Sequence, residues 1–408
     1  MGVPSATMAS EQIVGGSVES LLDHARERNP EYAGMRHEAD AARERIGPAG
    51  ALPDPKLRVE WMDITQAGQQ NPTLLPGRVG STRYTLMQDV PWFGKRDLQR
   101  EIAALEADGA KSRVFGAWAE LSSRIKAGYA QFYYLHQNER LTSELLDLVS
   151  RLEKVAQVRY AGGLAAPSDA IRAQVEQTNL RNELIALENE KRMTQVRLNT
   201  LLARPADAAL AAPERLRALP VPVNLDPAVL QERVRERNPQ LFADDVRLRA
   251  AEKSRDLTHK NRYPDFTFGI TPVQYKNSVK EWAVMVELNL PLQQSWRRAQ
   301  EREAQAVLSA ARSRKEATAN QVLAELTENL SGLDAARRTE AAITNSLLPQ
   351  AELTFKAALA SYENGKVDFA TLLDAQRQIR QARQNQIKAR VQAQTSLAAI
   401  ERLLGEEL

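Results

Sequence analysis

Tyr362-Glu363-Asn364-Gly365-Lys366-Val367-Asp368-Phe369-Ala370-Thr371-Leu372 separates two long helical patterns, and a stretch of the same kind occurs earlier in the chain. That earlier copy is Tyr160-Ala161-Gly162-Gly163-Leu164-Ala165-Ala166-Pro167-Ser168-Asp169-Ala170. Setting Tyr160 on Tyr362 brings Gly163 onto Gly365, Ala173 onto Ala375 and Gln174 onto Gln376. Glycine adopts positive φ without a Cβ penalty, so it stands where a helix has to reverse. Gly162, Gly163 and Gly365 are expected to supply such turns, making each stretch the tip of an antiparallel helical hairpin. The two tips differ in charge, because Arg172 in the first copy stands where the second has Asp374.

The repetition extends outward from the tips. Arg26-Glu27-Arg28-Asn29-Pro30 returns as Arg235-Glu236-Arg237-Asn238-Pro239, each copy closing one short helical stretch before a longer one. Pro53-Asp54 matches Pro264-Asp265, and Asp89-Val90-Pro91 matches Asn289-Leu290-Pro291. The expected organisation is an N-terminal tail over 1–16, a first repeat over 17–203, a proline-rich connector over 204–227 and a second repeat over 228–404. Together the repeats form one domain. Each reads helix, strand, strand, long helix, turn, helix.

Between Pro91 and Tyr160 there is no further proline. Val114, Trp118, Leu121, Ile125, Phe132 and Leu135 follow a 4-3 spacing with Gly128 in one slot, and Leu141, Leu145, Leu148, Leu152 and Val155 resume it. This is a coiled-coil seam with one skip. Such a helix, rising about 1.5 Å per residue, is roughly 100 Å long. In the second repeat Pro349 interrupts the matching run, which predicts a kink or a restart.

Four short runs alternate with period two and read as strands, at about 56–62, 82–90, 265–273 and 282–290. Polar loops are expected over Asp63 to Ser81 and Gln274 to Glu281. Met62, Met87 and Met285 share the parity of the polar face. Thioether sulfur suits soft cations, but the three have no spacing that defines a site. Each run approaches the ~9–11 residues that cross a bilayer when tilted. Four strands cannot close a barrel, since the smallest transmembrane barrels use about eight. An open strand edge cannot face lipid, so membrane strands here require several copies of the chain to pool them. The competing reading is a soluble coiled-coil scaffold with two small hairpins.

The 408 residues carry a net charge of +3 spread over both signs, which gives no reason to expect a nucleic-acid partner. Aromatics make up only 5 %, as in long helices with narrow seams. The absence of cysteine excludes disulfides, thiolate metal sites and a lipidated N-terminal cysteine in this sequence. His24, His37, His136 and His259 are scattered without ligand spacing. No apolar run is long enough for a transmembrane helix, and Met1 to Gln12 lacks the basic and apolar parts of a signal peptide. No phosphate-cradling glycine loop, nucleophile elbow or zinc-binding His-Glu pair is present. The chain is not expected to be an enzyme or to hold a cofactor or metal.

The duplicated strand-pair and helical-hairpin order, with the segment Tyr362 to Gln376, resembles the TolC family of outer-membrane channels over about Ser17 to Leu404. The resemblance implies a mainly α fold with a small β part. Four strands per chain pool into a trimeric 12-stranded outer-membrane β-barrel, which an α-helical periplasmic tunnel continues. It implies a homotrimer in outer-membrane lipid with a periplasmic extension, acting as the passive exit duct of a tripartite efflux system. The partners would be a periplasmic adaptor and an inner-membrane RND-type pump, which supplies the energy. Pro91-Trp92-Phe93-Gly94-Lys95-Arg96 is similar to the heavy-metal branch, the CzcC-like and CusC-like channels for cation export. An exported channel needs a signal that these residues do not show. A periplasmic adaptor is the alternative within such systems, but its lipoyl-like and barrel flanks are missing.

The same resemblance assigns a periplasmic gate to the tips. Asp374 matches a ring aspartate, with Thr371 at a second acidic position and Asp368 supplying charge nearby. Asp169 and Tyr362 match positions that hold the archetype closed, while the basic partner of that lock is replaced by Val367, leaving Lys366 as the substitute. Asp169 is also placed to N-cap the helix after Pro167. Gly162, Gly163, Leu164, Gly365 and Val367 are the expected adaptor-docking positions. Trp61, Tyr84, Trp92 and Trp282 are expected at the barrel interfaces.

Overall fold

In a computed structural model, residues 14–163, 166–221 and 225–408 are described. The chain runs α1 (Val18–Arg28), α2 (Pro30–Glu44), α3 (Ile46–Ala49), β1 (Lys56–Met62), β2 (Ser81–Val90), α4 (Lys95–Ala161) and α5 (Pro167–Leu201). It then repeats as α6 (Pro227–Arg237), α7 (Pro239–Lys260), β3 (Phe266–Tyr275), β4 (Ser278–Leu288), α8 (Gln294–Ala342), a π-helical turn (Ile343–Leu347), α9 (Leu348–Glu363) and α10 (Phe369–Leu404). Two compact units draw on both halves: one takes the chain up to Gly34, Val114–Pro239 and Asn320–Leu408, the other Met35–Arg113 and Gln240–Ala319.

The first unit is helical. Its duplicated Asn-Pro pairs have a common structural role: the Asn29 amide donates to the Leu201 carbonyl and the Asn238 amide to the Leu403 carbonyl, both at 2.8 Å. Each asparagine thereby ties the end of α1 or α6 to the end of the last helix of its own half. On α4 the buried row runs Leu121, Ile125, Phe132, Leu135, Leu145, Val149, Leu152 and Ala156. Val155, expected in the seam, is exposed. A straight α-helix drifts by about 20° per heptad against a 3.5-residue repeat, and the row steps sideways to follow it. The slot at Gly128 admits Leu198 from α5, whose Cδ2 would stand 2.8 Å from an added Cβ. Gly128→Val is therefore expected to destabilise the unit by about 1–3 kcal/mol through overpacking, read as a lowered Tm. At Pro349 the helix restarts, as expected: α8 ends at Ala342 and α9 begins at Leu348 with the proline in its first turn. The Leu348 amide bonds to the Ile343 carbonyl, and the resulting π-helical turn absorbs the missing donor.

The second unit contains one antiparallel sheet, in order β1-β2-β3-β4, with both outer edges unpaired in the chain. Leu57, Leu86, Ile270 and Val284 align across it, and all four are exposed, Val284 at 80 %. The opposite face carries Lys56, Asp89 and Thr267 in one hydrogen-bonded row, Lys56 to Asp89 at 2.7 Å and Thr267 to Asp89 at 2.6 Å. The register sets Met87 and Met285 on either side of Gly269, whereas Met62 pairs with Ser81 at the other end of β1. The expected β3–β4 loop over Gln274 to Glu281 is instead a two-residue turn, Lys276-Asn277, with Lys276 at φ 53° and a bulge at Val273/Gln274. Strand pairing continues past the apolar band, where side-chain alternation no longer reports it. Among the described residues no helix is long and apolar enough to cross a membrane.

Candidate functional site at the hairpin tips

Both tips lie in the helical unit. At the second, Lys366 donates its amide to the Ser361 carbonyl at 2.9 Å and Gly365 to that of Tyr362 at 3.0 Å, a Schellman closure with Gly365 at φ 70°. At the first, Gly163 has φ 71° and bonds to the Tyr160 carbonyl at 2.9 Å. Gly162 does not take positive φ, contrary to expectation, because one left-handed residue suffices to end the helix. Leu164 lies outside the described residues.

Tyr160 and Tyr362 hold the same backbone position, but Tyr160 is exposed while Tyr362 is 3 % exposed. Tyr362 packs edge-on against fully buried Phe369 at 5.6 Å, within a cluster that includes Leu145, Val149, Leu180 and Leu372. Val367 is half-buried against this cluster. The Tyr362 hydroxyl is buried with no hydrogen-bond partner among the described residues. Burial, and then the Asp169 charge, push its pKa up.

The cation beside Tyr362 is Arg159, not Lys366. The Arg159 guanidinium lies 5.0 Å from the Tyr362 ring centroid and donates to the Glu363 carbonyl at 2.8 Å, joining the two tips. Lys366 is exposed and makes no ion pair among the described residues. Sequence reasoning passed over Arg159, whose counterpart at the second tip, Ser361, carries no charge. Glu153 similarly holds α5 to α4 by accepting from Gln174 at 2.9 Å and Gln177 at 2.5 Å, bonds that lower its pKa.

Asp169 does not cap α5. Pro167 starts the helix after Ala166, which leaves Asp169 inside the first turn, buried. Burial, then the Asp368 charge, raise its pKa. A carboxyl with a higher pKa folded than unfolded makes the folded chain take up the proton, so stability falls as pH rises from the unfolded value toward the folded one. Asp169→Asn is expected to remove this penalty, leaving the tip at least as stable as wild type at neutral pH. The difference should close below the ordinary aspartate value of 3.8. Thermal midpoints measured from acid to neutral pH check it, and a less stable variant at neutral pH would contradict it.

Asp368 is the N-cap of α10, accepting from the Thr371 amide at 2.9 Å and hydroxyl at 2.6 Å, which lowers its pKa. Asp374 is 67 % exposed, 3.4 Å from Arg377, which pairs more closely with Glu176 at 2.6 Å. Ile171, Arg172, Val175, Ala370 and Leu373 join Asp374 around an open groove between α5 and α10. No His, Cys, Asp or Glu cluster able to hold a metal occurs among the described residues.

In the sheet-bearing unit, Trp61 and Trp282 are exposed, and the Tyr84 hydroxyl donates to Gln274 at 3.2 Å. Trp92 is stacked on Tyr263 at 5.0 Å and on Phe266 at 5.5 Å. The Pro91–Arg96 stretch forms the strand-to-helix switch. Asp265 accepts from the Trp92 amide at 2.7 Å and from Lys95 at 2.8 Å.

A twice-built helical hairpin joined to a four-stranded sheet with free edges is the fold of the TolC-like channels. The chain belongs to the outer membrane efflux protein family, whose profile matches residues 21–204 and 230–406. It is thus an outer-membrane efflux protein and not an enzyme. It is 25 % identical over 397 residues to the cobalt-zinc-cadmium resistance protein CzcC of Cupriavidus metallidurans, spanning 95 % of this chain and 90 % of that protein. Among solved structures, CusC superposes with a TM-score of 0.82 at 16 % identity over 97 % of this chain and 93 % of that one. A membrane protein from Pseudomonas aeruginosa gives 0.81 at 21 % identity, covering 97 % and 91 %. VceC from Vibrio cholerae gives 0.81 at 17 %, covering 96 % of each.

Proposed function

We propose that three copies of the chain form one outer-membrane duct for heavy-metal cations, serving a tripartite efflux system with a periplasmic adaptor and an inner-membrane RND-type pump. The observation that carries the reading is the sheet: four strands, two unpaired edges and an exposed apolar face. Such a sheet cannot stand in lipid alone, and pooling three copies closes it at a strand number suited to a membrane barrel. The two repeats, 17–203 and 228–404, then act as one channel domain, with helices extending into the periplasm. Gly163, Gly365 and Val367 mark where the adaptor docks. The cation class rests on the similarity to CzcC. The metal exported is whichever one the pump delivers. Deleting the gene in its host should raise sensitivity to cobalt, zinc or cadmium, and cross-linking in outer-membrane fractions should trap trimers. Unchanged metal tolerance would remove the cation assignment, and a monomer would remove the duct.

In the trimer, Asp374 from each copy faces the axis, where rings of carboxylates favour cations. Asp374→Ala is expected to lower cation selectivity in planar-bilayer conductance. Unaltered selectivity would place Asp374 off the axis.

A further inference from the structure

At the helix-bearing end of the sheet the apolar face continues into an aromatic column. Phe268 stacks on Phe266 at 6.1 Å, Phe266 on Trp92 at 5.5 Å and Trp92 on Tyr263 at 5.0 Å. Phe93, edge-on to Trp92 at 5.8 Å, is 77 % exposed, and beyond β4 the apolar residues Leu292 and Trp296 are also exposed. Among the described residues Trp92 and Phe266 are half-buried, while Tyr263, Phe268, Phe93 and Trp296 are left exposed.

The surrounding cations divide into two groups. Lys95 is neutralised by Asp265, and Arg262 by Glu301. Lys260, Arg297 and Arg298 have no carboxylate partner among the described residues. Lys260 donates to the Phe93 carbonyl at 3.1 Å. Arg297 donates to the Asn261 carbonyl and lies 6.0 Å from the Trp296 ring, while its Nε is shielded with no hydrogen-bond partner among the described residues. Arg297 closes the first turn of α8, which contains no acid, and Arg298 follows it directly, near the end where the helix dipole itself disfavours positive charge. An external anion would offset all of these charges. The rings place it beside hydrocarbon, as amphipathic aromatics do at a bilayer interface.

We propose that this collar binds the anionic headgroups of phospholipids in the periplasmic leaflet, with Phe93 and Trp296 seated among the acyl chains and Lys260, Arg297 and Arg298 on the phosphates. The proposal rests on the outer-membrane reading and adds the lipid class. The leaflet follows from position, since the collar lies where strands become helices. Lipopolysaccharide phosphates on the other leaflet would meet the β1–β2 and β3–β4 loops instead.

The test reconstitutes the full chain into phosphatidylcholine vesicles with and without phosphatidylglycerol. Headgroup-labelled lipids then report which species is held at the protein surface. Wild type should select phosphatidylglycerol about ten-fold over phosphatidylcholine, an effect weakened by salt, as expected of cations at an anionic surface. Lys260→Gln/Arg297→Gln/Arg298→Gln should lose most of that selection, while Lys280→Gln, beside the β3–β4 turn, should keep it. An equal response to both lipids, an unaffected triple variant in protein that still inserts, or preferential retention of lipopolysaccharide would overturn the proposal. Failure to insert into either vesicle would overturn the outer-membrane reading and this proposal with it.

Discussion

Phe369→Ala should destabilise the tip unit by about 3–5 kcal/mol, the usual loss for a phenylalanine removed from a closed core. Phe369 is fully buried as the first residue of α10 and is the ring against which Tyr362 packs. Both hairpins border it, through Leu145, Val149 and Leu180 on one side and Ala358 and Leu373 on the other. The resulting cavity would loosen Tyr362, and with it the Arg159 contact that joins the tips. The Asp368 cap should survive, because its partners are local to Thr371. Hydrogen exchange should therefore rise on both hairpins around the tips, and conductance through a resting channel should increase. Exchange confined to α10 would mean that Phe369 packs within its own hairpin and does not couple the two.

Glu401→Leu is the second large effect, also about 3–5 kcal/mol, because it strands buried cations. The Glu401 carboxylate is 4 % exposed. It accepts from Lys126 at 2.9 Å, from Arg217 at 2.7 and 2.8 Å, and from the Leu408 amide at 3.1 Å. Lys126 is also buried, 7 % exposed, and Glu407 at 2.8 Å is its other partner. Removing the shared carboxylate leaves two cations facing each other with a single acid. Lys126→Met combined with Glu401→Leu should recover much of the loss, since a buried pair replaced by apolar side chains of similar size is often neutral. A Tm series over wild type, both single variants and the double variant checks this. Additive single losses would show that Lys126 and Glu401 do not act as a pair.

The helices and strands were legible because their signals are local. The buried row of α4 follows most of the apolar spacing seen in the chain, and Gly163 and Gly365 sit at positive φ where the helices reverse. The duplicated Asn-Pro pairs were visible as a repeat, although their role, an amide tied to a carbonyl 172 or 165 residues away, was not. Asp169 looked like an N-cap because proline and aspartate are common at helix starts. Which residue is the cap depends on the backbone of Ala166.

The sequence alone determined a duplicated chain of helical hairpins and paired strands, and a second tip that carries Asp374 where the first carries Arg172. Those features are written in periodicity and in single residues such as glycine, which act over a few positions. Tertiary structure decided what sits on Tyr362, since Arg159 reaches it from the other hairpin, and which carboxylate meets Lys126. It also decided that Met87 and Met285 flank Gly269 while Met62 stands apart. Such pairings join residues far apart in the chain, and no local pattern encodes them, because they depend on strand register and helix packing that only the folded chain fixes.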